Sequence, residues 1–140
     1  MNKINELLEY LFNLQRFGSK PGLENIKKIL SLLGNPEKEL KIIHIAGTNG
    51  KGSTACMIES IIRAAGYSTA LYTSPHLIKF NERIRFNNEE IKDEDIAKLV
   101  KIIKKTIEEN NIPTTFFEFT TCLAFLYFKG KNPDYIVLET

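Results

Sequence analysis

Apolar residues at the start of the chain recur at helical spacing: Ile4, Leu7, Leu8, Leu11 and Leu14 fall on one stripe, with charged residues between them. The run from Gly18 to Gly22, containing Ser19, Lys20 and Pro21, breaks this pattern. A second stripe follows at Leu23, Ile26, Ile29, Leu30 and Leu33, and Gly34 with Pro36 supplies the chemistry of a helix C-terminus. Residues 1–40 are thus predicted to form a helical hairpin. At Lys41–Ala46 the helical period gives way to a continuous apolar run, KIIHIA, as expected for a parallel strand covered on both faces. A glycine-rich polar stretch, Gly47–Ser53, separates this run from an amphipathic helix. That helix extends to about Ala65, with Met57, Ile58, Ile61 and Ile62 as its expected core face and Gly66 closing it. Ser68–Tyr72, short and flanked by turn signals, predicts a second strand and completes a right-handed βαβ unit.

The second half continues in kind. Asn81–Ile91 alternates around Asn87-Asn88, a tight-turn pair that predicts a hairpin. Asp93 is a suitable N-cap, and Glu94 and Asp95 suit the positive start of a helix. Ile96, Leu99, Val100, Ile103 and Ile107 then mark the apolar side of a surface helix with no catalytic content. Thr115 and Glu118 have capping-box spacing ahead of a run to Phe128 that is apolar almost all round, which predicts a helix buried on most sides. Gly130 and Pro133 end it before a final apolar strand, Asp134–Thr140. The class is α/β: a parallel sheet with helices on both faces, preceded by the helical hairpin.

Composition narrows the function classes. A length of 140 residues with 43% hydrophobic content suits one domain with a core. The net charge of +2, with both signs interspersed, provides no basic field for nucleic acid. Cys56 and Cys122 show no CxxC or Cys/His spacing, so the reading is of small residues in a reducing compartment. No apolar segment reaches the length of a membrane span, and the expectation is a cytoplasmic protein with no membrane contact. The final strand stops where its carboxyl end is reached, the edge at which open α/β sheets bind ligands. From this, the chain is expected to be the N-terminal portion of a longer protein.

The chemistry centres on Gly47, Thr48, Asn49, Gly50, Lys51, Gly52 and Ser53. Glycines let backbone N–H groups turn inward, the following helix start adds partial positive charge, and Lys51 can reach the β/γ-phosphates of a nucleotide. A hydroxyl nearby can ligate Mg²⁺. The match to G-x-x-x-x-G-K-[ST] is imperfect, because Ile45 occupies the first glycine position and Gly52 separates Lys51 from Ser53. Thr73-Ser74-Pro75-His76-Leu77 leaves the second predicted strand on the same sheet edge, where Ser74 can complete a metal or phosphate shell or simply belong to a loop. On residues alone His76 is a local hydrogen-bonding histidine, Arg83 part of a hairpin's solvent face, Glu118 a helix cap and Glu139 a polar strand end.

The variant GTNGKGS after an apolar strand resembles the ATP loop of the Mur ligase superfamily, and within it that of folylpolyglutamate synthase and dihydrofolate synthase. RFGSKPGLENIKKILSLLGNP, TSPHL, the ERI-containing stretch, FFEFTT…AFLYF and the final strand resemble the same family, so the likeness covers nearly the whole chain. It implies an incomplete ATP-binding domain, divided into a helical lead-in at 1–40 and a P-loop α/β core at 41–140. Thr48 to Ser53 would hold ATP, with Lys51 catalytic, and Ser53, Ser74 and Glu139 would face Mg²⁺. His76, Arg83 and Glu118 would lie toward substrate, and a monovalent cation such as K⁺ is a further candidate. The implied reaction transfers the γ-phosphoryl group to a folate or dihydropteroate carboxylate, after which the amine of L-glutamate attacks the acyl phosphate. Family members continue with a further glycine-rich loop, a histidine metal ligand, a modified lysine and a C-terminal domain, so the chain alone is expected to be inactive. A P-loop kinase or NTPase and a non-catalytic nucleotide-binding module are the rival readings.

Overall fold

The structure, a computed structural model, describes residues 3–14 and 22–140. Of the predicted break from Gly18 to Gly22, all but Gly22 lies outside the described residues. The chain divides into two compact units, Met1–Lys38 with Asp93–Tyr127, and Glu39–Lys92 with Phe128–Thr140. Each is assembled from segments distant in sequence.

The first unit is helical. It contains α1 (Lys3–Asn13), α2 (Glu24–Leu32), α4 (Asp93–Glu109) and most of α5 (Phe116–Lys131). Both α1 and α2 pack on α4, whose Ile96, Val100, Ile103 and Ile107 form the buried stripe that the spacing predicts, while Leu99 is half-buried at its margin. In α5, Phe119, Cys122, Leu123 and Ala124 are wholly inaccessible. Aromatic contacts tie these helices together. Tyr10 meets Phe119 edge to face at 5.8 Å between centroids, and Phe12 stacks on Phe116 at 5.7 Å. The start of α5 is the predicted capping box, in which Glu118 N donates to Thr115 Oγ1 at 3.1 Å and Thr115 N donates to Glu118 Oε1 at 3.0 Å.

The second unit carries a five-stranded sheet in the order β1-β5-β2-β3-β4. β1 (Ile42–Ile45), β5 (Tyr135–Glu139) and β2 (Thr69–Tyr72) run parallel, and β3 (Ile84–Phe86) and β4 (Glu89–Glu90) add the predicted hairpin antiparallel to β2. Asn87 and Asn88 turn that hairpin with φ of 49° and 65°, a left-handed pair that asparagine accepts more readily than bulkier residues. α3 (Lys51–Ala64) covers the sheet through Ala55, Leu71 and Val137, with Ile45, Ile58 and Ile62 packed around them.

Two expectations are corrected here. β1 is not buried on both faces: among the described residues it pairs only with β5, and Ile42 stands 37% exposed at the sheet edge. Nor are Met57 and Ile61 core residues of α3, since they are 58% and 70% exposed. The face turned to the sheet is Ala55, Ile58, Glu59 and Ile62, because Glu59, 3% exposed, takes a central place there. Its Oε2 accepts Thr69 Oγ1 at 2.5 Å and Arg63 Nε at 3.0 Å, which offsets the cost of burying a carboxylate. A stripe counted from apolar residues alone passes over a glutamate and lands on the wrong side of the helix.

Candidate functional site

The three parallel strands end level. Ile45 pairs with Glu139 and Tyr72 with Leu138, so the loops after β1 and β2 leave the same edge on either side of the tip of β5. After β1 the chain turns through exposed Ala46–Gly50 and enters α3 at Lys51. Gly47 has φ of 153° and Gly50 φ of 71°, the latter in the left-handed region where a side chain would be strained. The N-cap residue, Gly50, has no side chain with which to cap this helix start. The first-turn N–H groups, those of Lys51, Gly52 and Ser53 among them, have no carbonyl inside the helix to bond, and they face the edge where Thr48 and Asn49 lie exposed.

Glu139 is the hub. It is 3% exposed at the end of the central strand, its Oε2 accepts Ser74 N at 3.0 Å, and its Oε1 lies 3.9 Å from Lys51 Nζ. The structure therefore brings Lys51, Ser74 and Glu139 together from three separate elements. Strand order is the reason: β5 lies between β1 and β2, so its last side chain sits between the two loops. The donor set is oxygen-rich, one carboxylate with the hydroxyl-bearing Ser53 and Ser74 on the adjoining segments. Among the described residues no three His, Cys, Asp or Glu side chains cluster for a metal. That chemistry fits Mg²⁺, which is held by one or two carboxylates together with phosphate oxygens and water, and does not fit a dedicated protein cage.

The segment after β2 is built as a frame. Thr73 N donates to Arg83 O at 3.0 Å, and the Ser74–Pro75 peptide is cis. Arg83 Nε donates to His76 Nδ1 at 2.7 Å, which leaves the neutral ring's proton on Nε2. Burial and the neighbouring Arg83 guanidinium lower the His76 pKa, opposed by Glu82. Arg83 is itself buried, its guanidinium 5.9 Å from the centre of the Phe80 ring, and burial lowers its pKa too. Of the predicted substrate-side residues, His76 and Arg83 thus meet each other. Glu118 belongs to the helical unit, where its carboxylate caps α5.

One functional candidate carries only a faint mark in the sequence. Glu82 reads as one charge among several in an alternating stretch, yet its carboxylate accepts three consecutive backbone N–H groups: Leu77 to Oε1 at 2.8 Å, and Ile78 and Lys79 to Oε2 at 3.0 and 2.9 Å. The legible sign is its position three residues beyond Lys79, capping-box spacing with no helix long enough to draw attention.

A glycine-bounded loop entering a helix at a lysine, with a carboxylate at the tip of the neighbouring parallel strand, defines the class of α/β nucleotide-binding folds. Comparison with known proteins refines this. No family model matches the sequence. The chain is 44% identical over 131 residues to the dihydrofolate synthase/folylpolyglutamate synthase of Bacillus subtilis, a match covering 89% of this chain and 30% of that protein. It superposes on the crystal structure of folylpolyglutamate synthase from Thermotoga maritima with a TM-score of 0.89 and 46% identity, over 97% of this chain and 32% of the other. It also resembles the structure of an FPGS-AMPPCP-folate complex, with a TM-score of 0.91 and 35% identity over 99% of this chain and 35% of that one. The chain matches the folylpolyglutamate synthase/dihydrofolate synthases as their N-terminal part, and it spans about a third of the length of these three proteins.

Proposed function

We propose that this chain is the nucleotide-binding portion of an ATP-dependent ligase that joins L-glutamate to the carboxylate of a folate or dihydropteroate. The observation that carries the reading is the meeting of Lys51, Ser74 and Glu139 at the carboxyl edge of the parallel strands. The backbone N–H groups of Thr48 to Ser53 receive the phosphate oxygens, and Lys51 turns from Glu139 to the β/γ-phosphates. Ser53, Ser74 and Glu139 hold Mg²⁺, which supplies charge neutralisation for the transferring phosphoryl group.

In the reaction, a carboxylate oxygen of the folate displaces ADP from the γ-phosphorus. The glutamate amine then attacks the acyl carbon and expels inorganic phosphate as the amide forms. Support for the nucleotide and folate comes from the resemblance to a protein solved with AMPPCP and folate. His76 and Arg83 lie on the loop that borders the substrate. Because the chain spans about a third of its relatives, it is expected to bind MgATP weakly and to give no turnover alone.

Isothermal titration with MgATP, then with a reduced folate, tests the assignment. Binding of nucleotide that is lost in Lys51→Ala supports it. Failure of the wild-type chain to bind MgATP at millimolar concentration removes it, and phosphoryl transfer to water or an alcohol would favour the kinase or NTPase reading. Native-like glutamate incorporation by the isolated chain would overturn the inactivity.

A further inference from the structure

We propose that Glu82 is a positioning residue: it sets the backbone of the segment carrying Ser74, and so holds that serine where the metal-bound nucleotide needs it. The inference deepens the reading above and rests on it for the role of Ser74, while the anchoring itself stands on geometry alone.

The segment between Thr73 and Phe80 has few apolar contacts to shape it. Leu77 and Ile78, at its tip, are 92% and 89% exposed, so the hydrophobic effect pulls against the observed course rather than dictating it. Polar ties do the shaping instead. At one end Thr73 N bonds Arg83 O and Ser74 N bonds Glu139. In the middle Arg83 bonds the His76 ring, which lies edge-on to buried Phe80 with centroids 6.2 Å apart. At the far end the Glu82 carboxylate gathers the N–H groups of Leu77, Ile78 and Lys79. Glu82 and Arg83 are adjacent in sequence, so one turn of chain clamps both halves of the segment.

Charge matters to this arrangement. A carboxylate offers two oxygens that only accept, and three converging N–H dipoles stabilise it, in keeping with its lowered pKa. A glutamine has one oxygen and places an NH₂ group against the remaining donors. Glu82→Gln keeps the shape of the side chain and removes the match.

The test uses the chain as it is. Amide hydrogen exchange followed by NMR is expected to show about tenfold or greater loss of protection at Leu77, Ile78 and Lys79 in both Glu82→Gln and Glu82→Ala. The amides of Ile136, Val137 and Leu138 in β5 report whether the fold survives and are expected to hold their protection. Unchanged protection at all three loop amides in either variant overturns the proposal.

A second readout separates positioning from mere loop order. Affinity for ATP with excess Mg²⁺ is expected to fall about fivefold or more in Glu82→Gln, while affinity for ATP in EDTA stays level, because the cradle at Thr48–Ser53 does not use this segment. Equal losses in both conditions overturn the link to Ser74. Should wild type bind no nucleotide in either condition, the ligase reading fails, and the exchange data alone decide whether Glu82 anchors the segment.

Discussion

Replacing Glu139 by glutamine, and separately by alanine, divides the two interactions its carboxylate makes. Glutamine retains an oxygen that can accept Ser74 N but abolishes the ion pair with Lys51, whereas alanine removes both. At 3.9 Å the pair has a Coulomb energy of about 1 kcal/mol in a water-like dielectric and about 4 kcal/mol at an effective constant near 20. Lys51 keeps 28% of its side chain exposed, and burying Glu139 carries a desolvation cost, so most of the larger figure is offset. We predict a stability loss of about 1 kcal/mol for Glu139→Gln. Glu139→Ala adds the unpaired Ser74 N–H and is expected to lose a further ~1–3 kcal/mol. Urea unfolding followed by far-UV dichroism measures both.

The same pair of variants makes a sharper statement about nucleotide. Without metal, Glu139 is a negative charge beside the triphosphate and competes for Lys51, so Glu139→Gln should bind ATP in EDTA roughly fivefold tighter than wild type, a gain of about 1 kcal/mol. With excess Mg²⁺ the sign reverses, because the variant lacks the carboxylate proposed to hold the ion, and affinity should fall about tenfold or more. The ratio of the two affinities, read by titration calorimetry, is the diagnostic quantity. If Mg²⁺ changes the affinity of wild type and Glu139→Gln by the same factor, Glu139 does not touch the metal and the site is misassigned.

Other expectations follow from neighbouring geometry. Lys51→Ala should weaken MgATP binding about tenfold or more, with the fold intact by dichroism, since the side chain is partly exposed and its partner is a carboxylate. Thr115→Ala and Glu118→Ala should each destabilise the chain by about 1 kcal/mol, and the double variant by less than their sum, a coupling that a double-mutant cycle in urea detects. Burial pushes the Cys122 thiol up to about 12, whereas Cys56 is exposed, so a disulfide reagent at pH 8 should titrate one thiol in the folded chain and two in urea. His76 has a folded pKa below its ordinary value of 6.5, so between the two the unfolded chain binds more protons. Stability is therefore expected to fall as pH drops through 6.5 and to level off below the folded pKa, a slope that His76→Asn should flatten.

Much of the fold is legible in the sequence. Strand, glycine loop and helix at residues 42–64 follow from a change of hydrophobic period and from residues that readily tolerate the backbone required, such as Gly50 at φ of 71°. The Asn87-Asn88 turn and the Thr115/Glu118 cap are local, and local chemistry reads directly from spacing. What resists reading depends on partners that hydrophobic spacing does not display. Glu59 is buried because Thr69 and Arg63 satisfy it, so the sheet-facing side of α3 could not be counted from hydrophobicity. Ile42 is exposed because β5, which follows it by some ninety residues, pairs on one side and no described strand pairs on the other. Glu82 reads as one charge among several because the donors it accepts are backbone groups, which every residue but proline has and no sequence pattern displays.

Placing Glu139 on a strand that enters the sheet between two earlier ones has a consequence for how the site comes into being. The loop after β1 and the segment after β2 are within thirty residues of each other in sequence, but neither contains a buried carboxylate to draw them together. Until β5 pairs with both β1 and β2, Lys51 and Ser74 have no common partner. Pairing of that strand therefore completes the sheet core around Val137 and the candidate metal site at Glu139 in one step, because residues two apart on a strand share its register. A one-residue slip of β5 would turn Val137 away from α3 and Glu139 away from Lys51 together. Stability and nucleotide affinity should for this reason fall in parallel when Val137, which packs with Ala55 and Leu71, is reduced to alanine, and an affinity unchanged against a lowered urea midpoint would show that the site is held by the loops and not by the strand.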